Sequence, residues 1–334
     1  MHIMSALFLL IAFLILLALE LLYFQVARRY NIVDRPSRRG SSSHVTLRGG
    51  GVVFYFGALL AFVAGGFSYP FFFVGLTLVA TVSFIDDVHS LSPKLRLPLQ
   101  FVGMMLLLVQ ICVDGEPLPV WGYVLLFAVG LIVCTGAMNI FNFMDGINGI
   151  TGGYSLVVLI FLVPAILTGV KDLVTSAILL GGVSITIIAD LVFCFFNFRK
   201  KARCFAGDVG SVSIAFIILF VLGTIMVENR DVSWLAFLVV YGVDGCLTII
   251  HRIMLHENIS LPHRKHAFQI MANELHIPHV VVSLIYMALQ SVCCILYLMY
   301  PRYITLFAEI IILSLAYVLF MKKYYHLHVE SGNA

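Results

Sequence analysis

The sequence predicts an all-α fold, in the form of a polytopic membrane protein with about eleven transmembrane helices. Of its 334 residues, 61% are hydrophobic and only 11% are charged, and the mean hydropathy is +1.05. Soluble domains carry about 25% charged residues, so this composition is typical of a protein that lies in a lipid bilayer. Apolar segments recur along the whole chain, and residues 1–334 are therefore expected to form a single integral membrane domain.

The individual spans follow from apolar segments that reach, or nearly reach, the roughly 20 residues that a helix needs to cross a bilayer. They lie near 3–24, 51–68, 70–86, 98–113, 120–138, 152–169, 173–196, 212–227, 232–250, 279–299 and 303–320. The segments 70–86 and 152–169 give the weakest signals. The first segment has no basic residue before it and is followed by Arg28 and Arg29, which favours an uncleaved span over a signal peptide.

The distribution of Lys and Arg predicts the topology. If the spans alternate from an N-terminus outside, the inner connections hold 17 of the 20 Lys and Arg residues, and the outer ones hold only Lys171, Arg230 and Arg302. The positive-inside rule then predicts a cytoplasmic C-terminus and a cytoplasmic position for the polar connections. The net charge of +3 is small and gives no basic face for nucleic acid. The seven Cys residues show no C-x-x-C spacing and are expected to be small buried side chains rather than disulfides or metal ligands.

Polar residues gather in five inner connections. The first, residues 34–51, is rich in Arg, which suits either phosphate binding or simple topology setting. Its run Gly49–Gly51 lacks the spacing of a nucleotide-binding loop and is expected to let the next helix begin close to a neighbour. The second holds Asp86 and Asp87 at the end of a span. Adjacent carboxylates there repel each other and oppose the helix dipole, so they favour a bound cation or shared proton over a solvated helix end.

The other three connections add amides, acids and cations. The third is Asn139–Ile150, "NIFNFMDGINGI", and the fourth holds Asp208 between two glycines, where the alternative is a simple helix cap. The fifth clusters His263, Arg264, Lys265 and His266, and it lacks the four ligands that a zinc site would need. Oxygen donors suit Mg²⁺, and the cations suit phosphates, so the combination predicts phosphoryl transfer to a membrane-bound lipid phosphate.

These blocks resemble the polyprenyl-phosphate N-acetylhexosamine-1-phosphate transferases of glycosyltransferase family 4. The resemblance covers nearly the whole chain, and the order of the blocks makes it specific. The matching residues are, in chain order, Asp86 and Asp87; then Asn139, Asn142, Asp145 and Gly146; then Phe205, Gly207, Asp208, Gly210 and Ser211. The resemblance implies helices around a cytoplasmic active-site cleft, with a lipid groove along one side.

It also implies a reaction in which undecaprenyl phosphate attacks the β-phosphate of a UDP-N-acetylhexosamine, giving UMP and a lipid-pyrophosphoryl sugar. By position, Asp208 and Asn142 are expected to bind Mg²⁺, with Mn²⁺ as a substitute. Asp86 or Asp87 is expected to orient or deprotonate the lipid phosphate. Positioning is favoured over a strict base role, because a phosphate monoester with a second pKa of about 6 is largely dianionic at pH 7.

The resemblance extends to the substrate-binding residues. Phe205 is expected to stack on uracil, with Asp145 and Asn148 near the edge of the base. Many relatives have a second Asp at the position of Asn148, so this contact is expected to differ. Contacts to phosphates or sugar are expected from Lys94, Arg96, His263, Arg264 and His266.

The final motif, "HRKHAFQ", lacks the His-rich run of the peptidoglycan enzymes and resembles the branch that serves O-antigen and other surface polysaccharides. The family further implies a bacterial inner-membrane location and a homodimer. A transporter or lipid-linked sugar flippase is the main alternative, since it too has many spans and intramembrane acids. Such proteins usually place charges near the midplane and show repeats, whereas here the acids gather at one face. An inactive scaffold relative is opposed by the complete set of acids.

Overall fold

The computed structural model describes residues 6–35, 45–115, 117–258 and 263–327, and within these ranges the fold is almost entirely helical. Residues 36–44 of the Arg-rich connection lie outside the described residues. The helices are α1 (Ala6–Arg29), α2 (Val52–Ala64), α3 (Pro70–Val88), α4 (Pro93–Asp114), α5 (Val120–Leu125), α6 (Leu131–Met144), α7 (Ile150–Gly169), α8 (Leu173–Asn197), α9 (Gly207–Asn229), α10 (Val239–Met254), α11 (Ala267–Gln269), α12 (His279–Met299) and α13 (Tyr303–Tyr324).

Short irregular turns extend several of these helices. A π-helical turn, Leu126–Gly130, joins α5 and α6 into one continuous span, and a second π-helical turn, Ile270–Glu274, follows α11. Two 3₁₀ turns, Val232–Leu238 and Tyr325–Leu327, precede α10 and follow α13. The two-residue strands β1 (Val33–Asp34) and β2 (Thr46–Leu47) pair antiparallel.

Ten helices in the described part of the chain are long and apolar enough to cross a membrane, which confirms the polytopic all-α fold. The expected span near 51–68 is the exception, because α2 has only 13 residues. At 1.5 Å per residue α2 is about 20 Å long, against about 30 Å for the hydrocarbon core of a bilayer. The eleven expected segments thus appear as ten long helices and one short apolar helix.

Helix α9 lies at the centre of the molecule. In its most apolar window 89% of the residues are buried, compared with 17% in the window of Val120–Met144. It packs against α2, α3, α4, α6 and α7. A helix that is hydrophobic on all sides suits such a central position, because every face meets apolar neighbours.

Several connections meet at the N-terminal end of α9. We call this end, formed by residues 45–51, 86–96, 145–149, 198–208 and 263–269, the polar end. Here β2 runs beside the segment before α9: the Phe205 N–H donates to the Leu47 carbonyl at 2.8 Å, and the Gly50 N–H donates to the Phe205 carbonyl at 2.8 Å. A Cβ on Gly51 would lie 2.3 Å from the Cα of Gly210, so glycine is required for this approach of the two backbones.

Acids and cysteines away from the polar end are packed among helices. Asp190 is fully buried in α8, with one oxygen 3.5 Å from the Cys194 sulfur. Glu20 of α1 is also fully buried and faces Cys204, directly before Phe205. All seven cysteines are free, as expected, but only Cys204, Cys293 and Cys294 are buried; three others are half-buried and Cys246 is exposed.

Candidate active site

Asp87 anchors the N-terminus of α9 to the last turn of α3. Its side chain is fully buried, and Arg48 Nε donates to it at 2.6 Å. The carboxylate also accepts the backbone N–H groups of Asp208 at 2.9 Å and Val209 at 3.0 Å. The first-turn N–H groups of a helix have no partner within the helix, and the helix dipole attracts negative charge there. Asp87 is therefore fully engaged and holds three chain segments together.

Asp86, the next residue around α3, faces α4 instead. Its carboxylate accepts from Arg96 Nη1 at 2.8 Å and from the Leu91 backbone N–H. A carboxylate near a helix C-terminus is disfavoured by the dipole of its own helix. The guanidinium of Arg96 offsets this cost, so the two adjacent acids are stabilised by different partners.

Asp208 lies between the two arginines at longer distances. Its Oδ1 is 3.3 Å from Arg48 Nη2, and its Oδ2 is 3.3 Å from Arg96 Nη1. Its side chain keeps 15% of its exposure, and its carboxyl group lies within hydrogen-bonding reach of Asp86. We call Asp86, Asp87, Asp208, Arg48 and Arg96 the Asp–Arg cluster. Asp208 is the cluster member whose carboxylate is held least tightly.

Asp145 adjoins the cluster from the loop after α6. It accepts the Thr151 hydroxyl at 2.7 Å and the backbone N–H of Gly207. Burial raises the pKa of Asp145 to about 6, the Thr151 hydrogen bond opposes this rise, and the nearby Asp87 adds to it. Asp145 is thus mostly ionised at pH 7 and adds negative charge beside the cluster.

Asn148 braces the same loop. Its side-chain amide donates to the carbonyls of Arg199 at 2.9 Å and Lys200 at 3.2 Å, and only 6% of the residue is exposed. Its own carbonyl accepts the Ser283 hydroxyl at 2.9 Å. These contacts give Asn148 a structural role in the loop, and its contact with uracil stays a prediction.

The segment 263–269 covers this loop. The ring of His263 lies 6.4 Å from that of Phe143, edge to face. A Cβ on Gly146 would meet the Phe268 ring at 3.0 Å, which shows how closely the two segments pack. The structure therefore brings the His motif and the "NFMDGING" loop together, although they are more than 100 residues apart in the chain.

The His motif is not the row of cations that the sequence suggests. Burial, together with the neighbouring His266 and Arg252, lowers the pKa of His263 to about 3. His263 is therefore neutral at pH 7. The ammonium group of Lys265 is paired with Glu257, a carboxylate that also accepts from Arg252 Nε at 3.0 Å.

Asp244 of α10 fixes His266, and sequence reasoning did not find it. His266 Nδ1 lies 3.1 Å from Asp244 Oδ1, and the same carboxylate accepts the Ala267 N–H at 3.2 Å and the Tyr286 hydroxyl at 2.5 Å. A carboxylate at Nδ1 favours the tautomer with the proton there. His266 Nε2 is buried and has no hydrogen-bond partner within the described structure. A lone acid within the apolar segment 232–250 was the available signal.

With this geometry established, the comparisons with known proteins show what the chain is similar to. Residues 69–227 match the family model of glycosyl transferase family 4, and this range contains Asp86, Asp87, Asp145 and Asp208. This part of the chain is similar to that family. Sequence relatives agree with the match, and their names describe transferases that act on undecaprenyl phosphate or on a phospho-N-acetylmuramoyl pentapeptide.

Three relatives show the extent of the similarity. A probable undecaprenyl-phosphate N-acetylglucosaminyl 1-phosphate transferase of Bacillus subtilis is 26% identical over 281 residues, which cover 77% of this chain and 75% of the relative. The undecaprenyl-phosphate alpha-N-acetylglucosaminyl 1-phosphate transferase of Yersinia pestis is 28% identical over 59% of this chain and 56% of its own length. A phospho-N-acetylmuramoyl-pentapeptide-transferase of Dictyoglomus thermophilum is 26% identical over 66% and 79% respectively.

The donor set of the Asp–Arg cluster fits a Mg²⁺ ion that shares its ligands with a substrate. In the described ranges no three His, Cys, Asp or Glu side chains are grouped to hold a metal ion. Mg²⁺ is commonly bound by one or two carboxylates together with waters and substrate phosphates. Asp86 and Asp208 meet that requirement, because they already share one cationic group, Arg96 Nη1. Three carboxylates against two guanidiniums also leave negative charge for a metal ion to neutralise.

The remaining predicted residues surround the cluster less closely. Lys94 is exposed in the first turn of α4, and Asn142 is half-buried in the last turn of α6. Phe205 is half-buried between β2 and α9, and Arg264 is half-buried beside His263. Their roles toward metal, uracil and phosphates stay predictions. Arg48, from the Arg-rich connection 34–51, is in contrast central to the cluster.

Proposed function

We propose that the chain transfers an N-acetylhexosamine-1-phosphate from a UDP-sugar to undecaprenyl phosphate, with release of UMP. The observation that carries this proposal is the Asp–Arg cluster, in which three acids and two arginines from separate connections meet at one end of a membrane-spanning helix bundle. A membrane position gives access to a lipid phosphate. The alternation of acids and guanidiniums suits the handling of charged phosphates.

In the proposed reaction, an oxygen of the lipid phosphate forms a bond to the β-phosphorus of the donor, and the bond from that phosphorus to the bridging oxygen breaks. The leaving group is UMP, and the product is a lipid-pyrophosphoryl sugar. The attacking phosphate needs no strong base, since its second pKa of about 6 leaves it mostly dianionic at pH 7. This supports a positioning role for the acid pair, in keeping with the fully engaged carboxylate of Asp87.

Among the acids, Asp208 is the proposed Mg²⁺ ligand, with Asn142 as its predicted companion and Mn²⁺ as a substitute metal. Asp208 is suited to this because its contacts to both arginines are 3.3 Å long and its side chain is partly exposed. Bound Mg²⁺ would neutralise charge on the reacting phosphates. Asp86 is then the acid closest to Asp208 and the better candidate for orienting the lipid phosphate.

The donor is proposed to lie along the loop of Asp145 and the half-buried ring of Phe205. A neutral His263 suits a hydrogen bond to sugar or phosphate oxygen better than an ion pair. His266, which contacts Asp244, is more deeply buried and fixes the segment 263–269, which covers the loop of Asp145. We place the polar end on the cytoplasmic side, because the positive-inside rule assigns these connections there.

The motif "HRKHAFQ" supports a donor of the surface-polysaccharide type over a muramoyl pentapeptide. We propose a role in the first membrane step of O-antigen or related cell-envelope synthesis, in a bacterial inner membrane, with the protein as a homodimer. The donors to compare are UDP-N-acetylglucosamine, -galactosamine, -fucosamine and -quinovosamine.

The test is release of UMP by purified protein with Mg²⁺, undecaprenyl phosphate and each of these UDP-sugars. We expect UMP and a lipid-linked product with at least one donor, and none when the lipid is left out. Absence of UMP with every donor would contradict the transferase proposal. A lipid-linked sugar that moves across a vesicle membrane without any bond change would instead favour a flippase.

A further inference from the structure

The sequence gives Arg48 no role beyond that of the Arg-rich connection 34–51, but the structure places it in the Asp–Arg cluster. Its Nε donates to Asp87 at 2.6 Å and its Nη2 lies 3.3 Å from Asp208, yet 33% of its side chain is exposed. The exposed fraction is larger than that of Arg96, which is 23%. Arg48 therefore contacts two acids and still reaches the open side of the cluster.

The backbone around Arg48 fixes the direction of this side chain. The Arg48 N–H donates to the Ile32 carbonyl at 3.2 Å, and its carbonyl accepts the Tyr23 hydroxyl. The next residue, Gly49, has φ of +81°, and a Cβ there would meet the Tyr23 hydroxyl oxygen at 2.4 Å. The main chain is thus held on both sides of Arg48, so the guanidinium is positioned before any ligand arrives.

The guanidinium has donors to spare for a ligand. Arginine has five N–H donors in a planar fork. The contacts to Asp87 and Asp208 use one donor each, which leaves three N–H donors on a guanidinium that is partly exposed.

We propose that Arg48 is a substrate-binding residue of the active site, and that its remaining N–H groups bind a phosphate oxygen of the substrate. Asp87 is its positioning residue, because the contact to Nε orients the fork. The identity of the phosphate rests on the proposed function: it belongs either to the donor pyrophosphate or to the lipid phosphate. A purely structural arginine between two acids would need no exposed edge.

The electrostatics support this assignment. The acids of the cluster outnumber its arginines, so an incoming phosphate is repelled unless a cation faces it. Arg48 places such a cation on the side of Asp208 opposite Arg96. Lysine cannot replace it fully, since one ammonium group cannot hold Asp87 and a phosphate with the same planar geometry.

The experiment measures the binding of two probes to detergent-purified protein in Mg²⁺ buffer. UDP represents the donor pyrophosphate, and farnesyl phosphate represents the lipid phosphate. The variants are Arg48→Gln and Arg48→Lys, with Arg203→Gln as the matched control, because Arg203 is an exposed arginine of the loop before α9. Elution as a single species and thermal unfolding report whether each variant is folded.

Loss of a charge-assisted hydrogen bond costs enough to weaken binding about tenfold to a hundredfold. We expect that loss with Arg48→Gln for at least one probe, a smaller loss with Arg48→Lys, and wild-type affinity with Arg203→Gln. The probe that is affected identifies the phosphate. Loss of both probes indicates that Arg48 serves both.

Wild-type affinity of Arg48→Gln for both probes would overturn the assignment, as would a wild-type protein that binds neither. If Arg48→Gln does not fold, unchanged affinity of Arg48→Lys for both probes overturns it in the same way. A wild-type protein that binds a probe through Arg48 but transfers no sugar phosphate from any donor would refute the proposed function and leave the phosphate site standing.

Discussion

The Asp–Arg cluster and the Asp244–His266 pair lie at the same end of the molecule, but they are built differently. In the cluster, Arg48 and Asp208 keep 33% and 15% of their side-chain exposure and lie 3.3 Å apart. In the pair, the side chains of Asp244 and His266 keep only 4% and 2%. Polar groups that are partly exposed and loosely held remain available to a ligand, whereas fully buried ones serve mainly to fix structure.

This difference shows that the residue types in a motif do not tell which residues are available to a ligand and which ones hold the structure. Asp86 and Asp87 are neighbours with the same side chain, yet the carboxylate of Asp87 is fully occupied by its contacts with Arg48 and with the first turn of α9. The His motif likewise contains a neutral His263 and a Lys265 paired with Glu257. Substitutions in the two regions should therefore have different effects. Those in the cluster should mainly lower turnover, and those in the pair should also lower thermal stability.

The largest effect is expected for Asp208→Asn. The amide keeps the size of the side chain but removes the charge that would attract Mg²⁺, and the long contacts to the arginines contribute little to folding. We expect turnover to fall by about a thousandfold or more, as for loss of a central electrostatic group, while thermal unfolding changes little. UMP release measured across a Mg²⁺ titration checks this. Survival of both turnover and Mg²⁺ dependence would contradict the metal assignment.

Asp244→Asn is expected to act more weakly and by another route. An amide can donate to His266 Nδ1, which favours the wrong tautomer, and it accepts less well from Tyr286 and Ala267. We expect lower thermal stability together with a turnover loss of about tenfold to a hundredfold, in line with the cost of disturbing an orienting carboxylate. Tyr286→Phe is the control, because it removes one hydrogen bond and leaves the tautomer unchanged. Equal effects of both variants would argue against tautomer control.

A substitution of Asn148 is expected to act by disturbing the loop after α6, which its side chain braces. Asn148→Asp restores the acid that many relatives carry, but a carboxylate cannot donate to the carbonyls of Arg199 and Lys200. The two carbonyls would lose their hydrogen bonds and face a buried carboxylate, which costs about 1–3 kcal/mol of folding free energy. We expect a lower unfolding temperature and a raised KM for the UDP-sugar. A KM lowered at unchanged stability would show that direct base recognition outweighs the loop contacts.

The smallest expected effect is a pH dependence at Asp145. Burial raises the pKa of this acid to about 6 from its ordinary 3.8, so the folded state binds the proton more tightly than the unfolded state. Its contribution to stability is therefore fully present below pH 3.8 and is lost as pH rises through 6. Relative to Asp145→Asn, wild type should lose stability as the pH rises from 3.8 to about 6. Parallel unfolding curves of the two proteins across this range would contradict the raised pKa.

Much of the fold was predictable, because a bilayer imposes one strong requirement on sequence. The expected apolar segments each contain a helix, but the segment 51–68 overran its helix. The expected segment continues past Ala64 into "GGFSYP", whereas the helical backbone of α2 ends at Ala64 with Gly65 as its C-cap, and Pro70 begins α3. Apolarity reports burial in lipid or protein and does not report where a helix stops.

The site was predictable where a motif carried it. The acids of three blocks meet as expected, and the Gly49–Gly51 run does allow close backbone approach. Asp244 was missed as a site residue, and Arg48 was not distinguished from the other arginines of the connection 34–51. Each depends on a contact with residues far along the chain that no local pattern reveals. The neutral state of His263 was missed because protonation depends on burial, which the motif does not encode.

The central position of α9 has a consequence for the motions of the enzyme. Among the candidate spans of the described chain α9 is the most buried, so we expect its amide hydrogens to exchange slowly, at rates near that of global opening. Asp208 stands in the first turn of this helix, so the least tightly held carboxylate of the site lies on an element that is expected to be rigid. We therefore expect conformational change during turnover to come from the segments that close over α9, while α9 itself stays still.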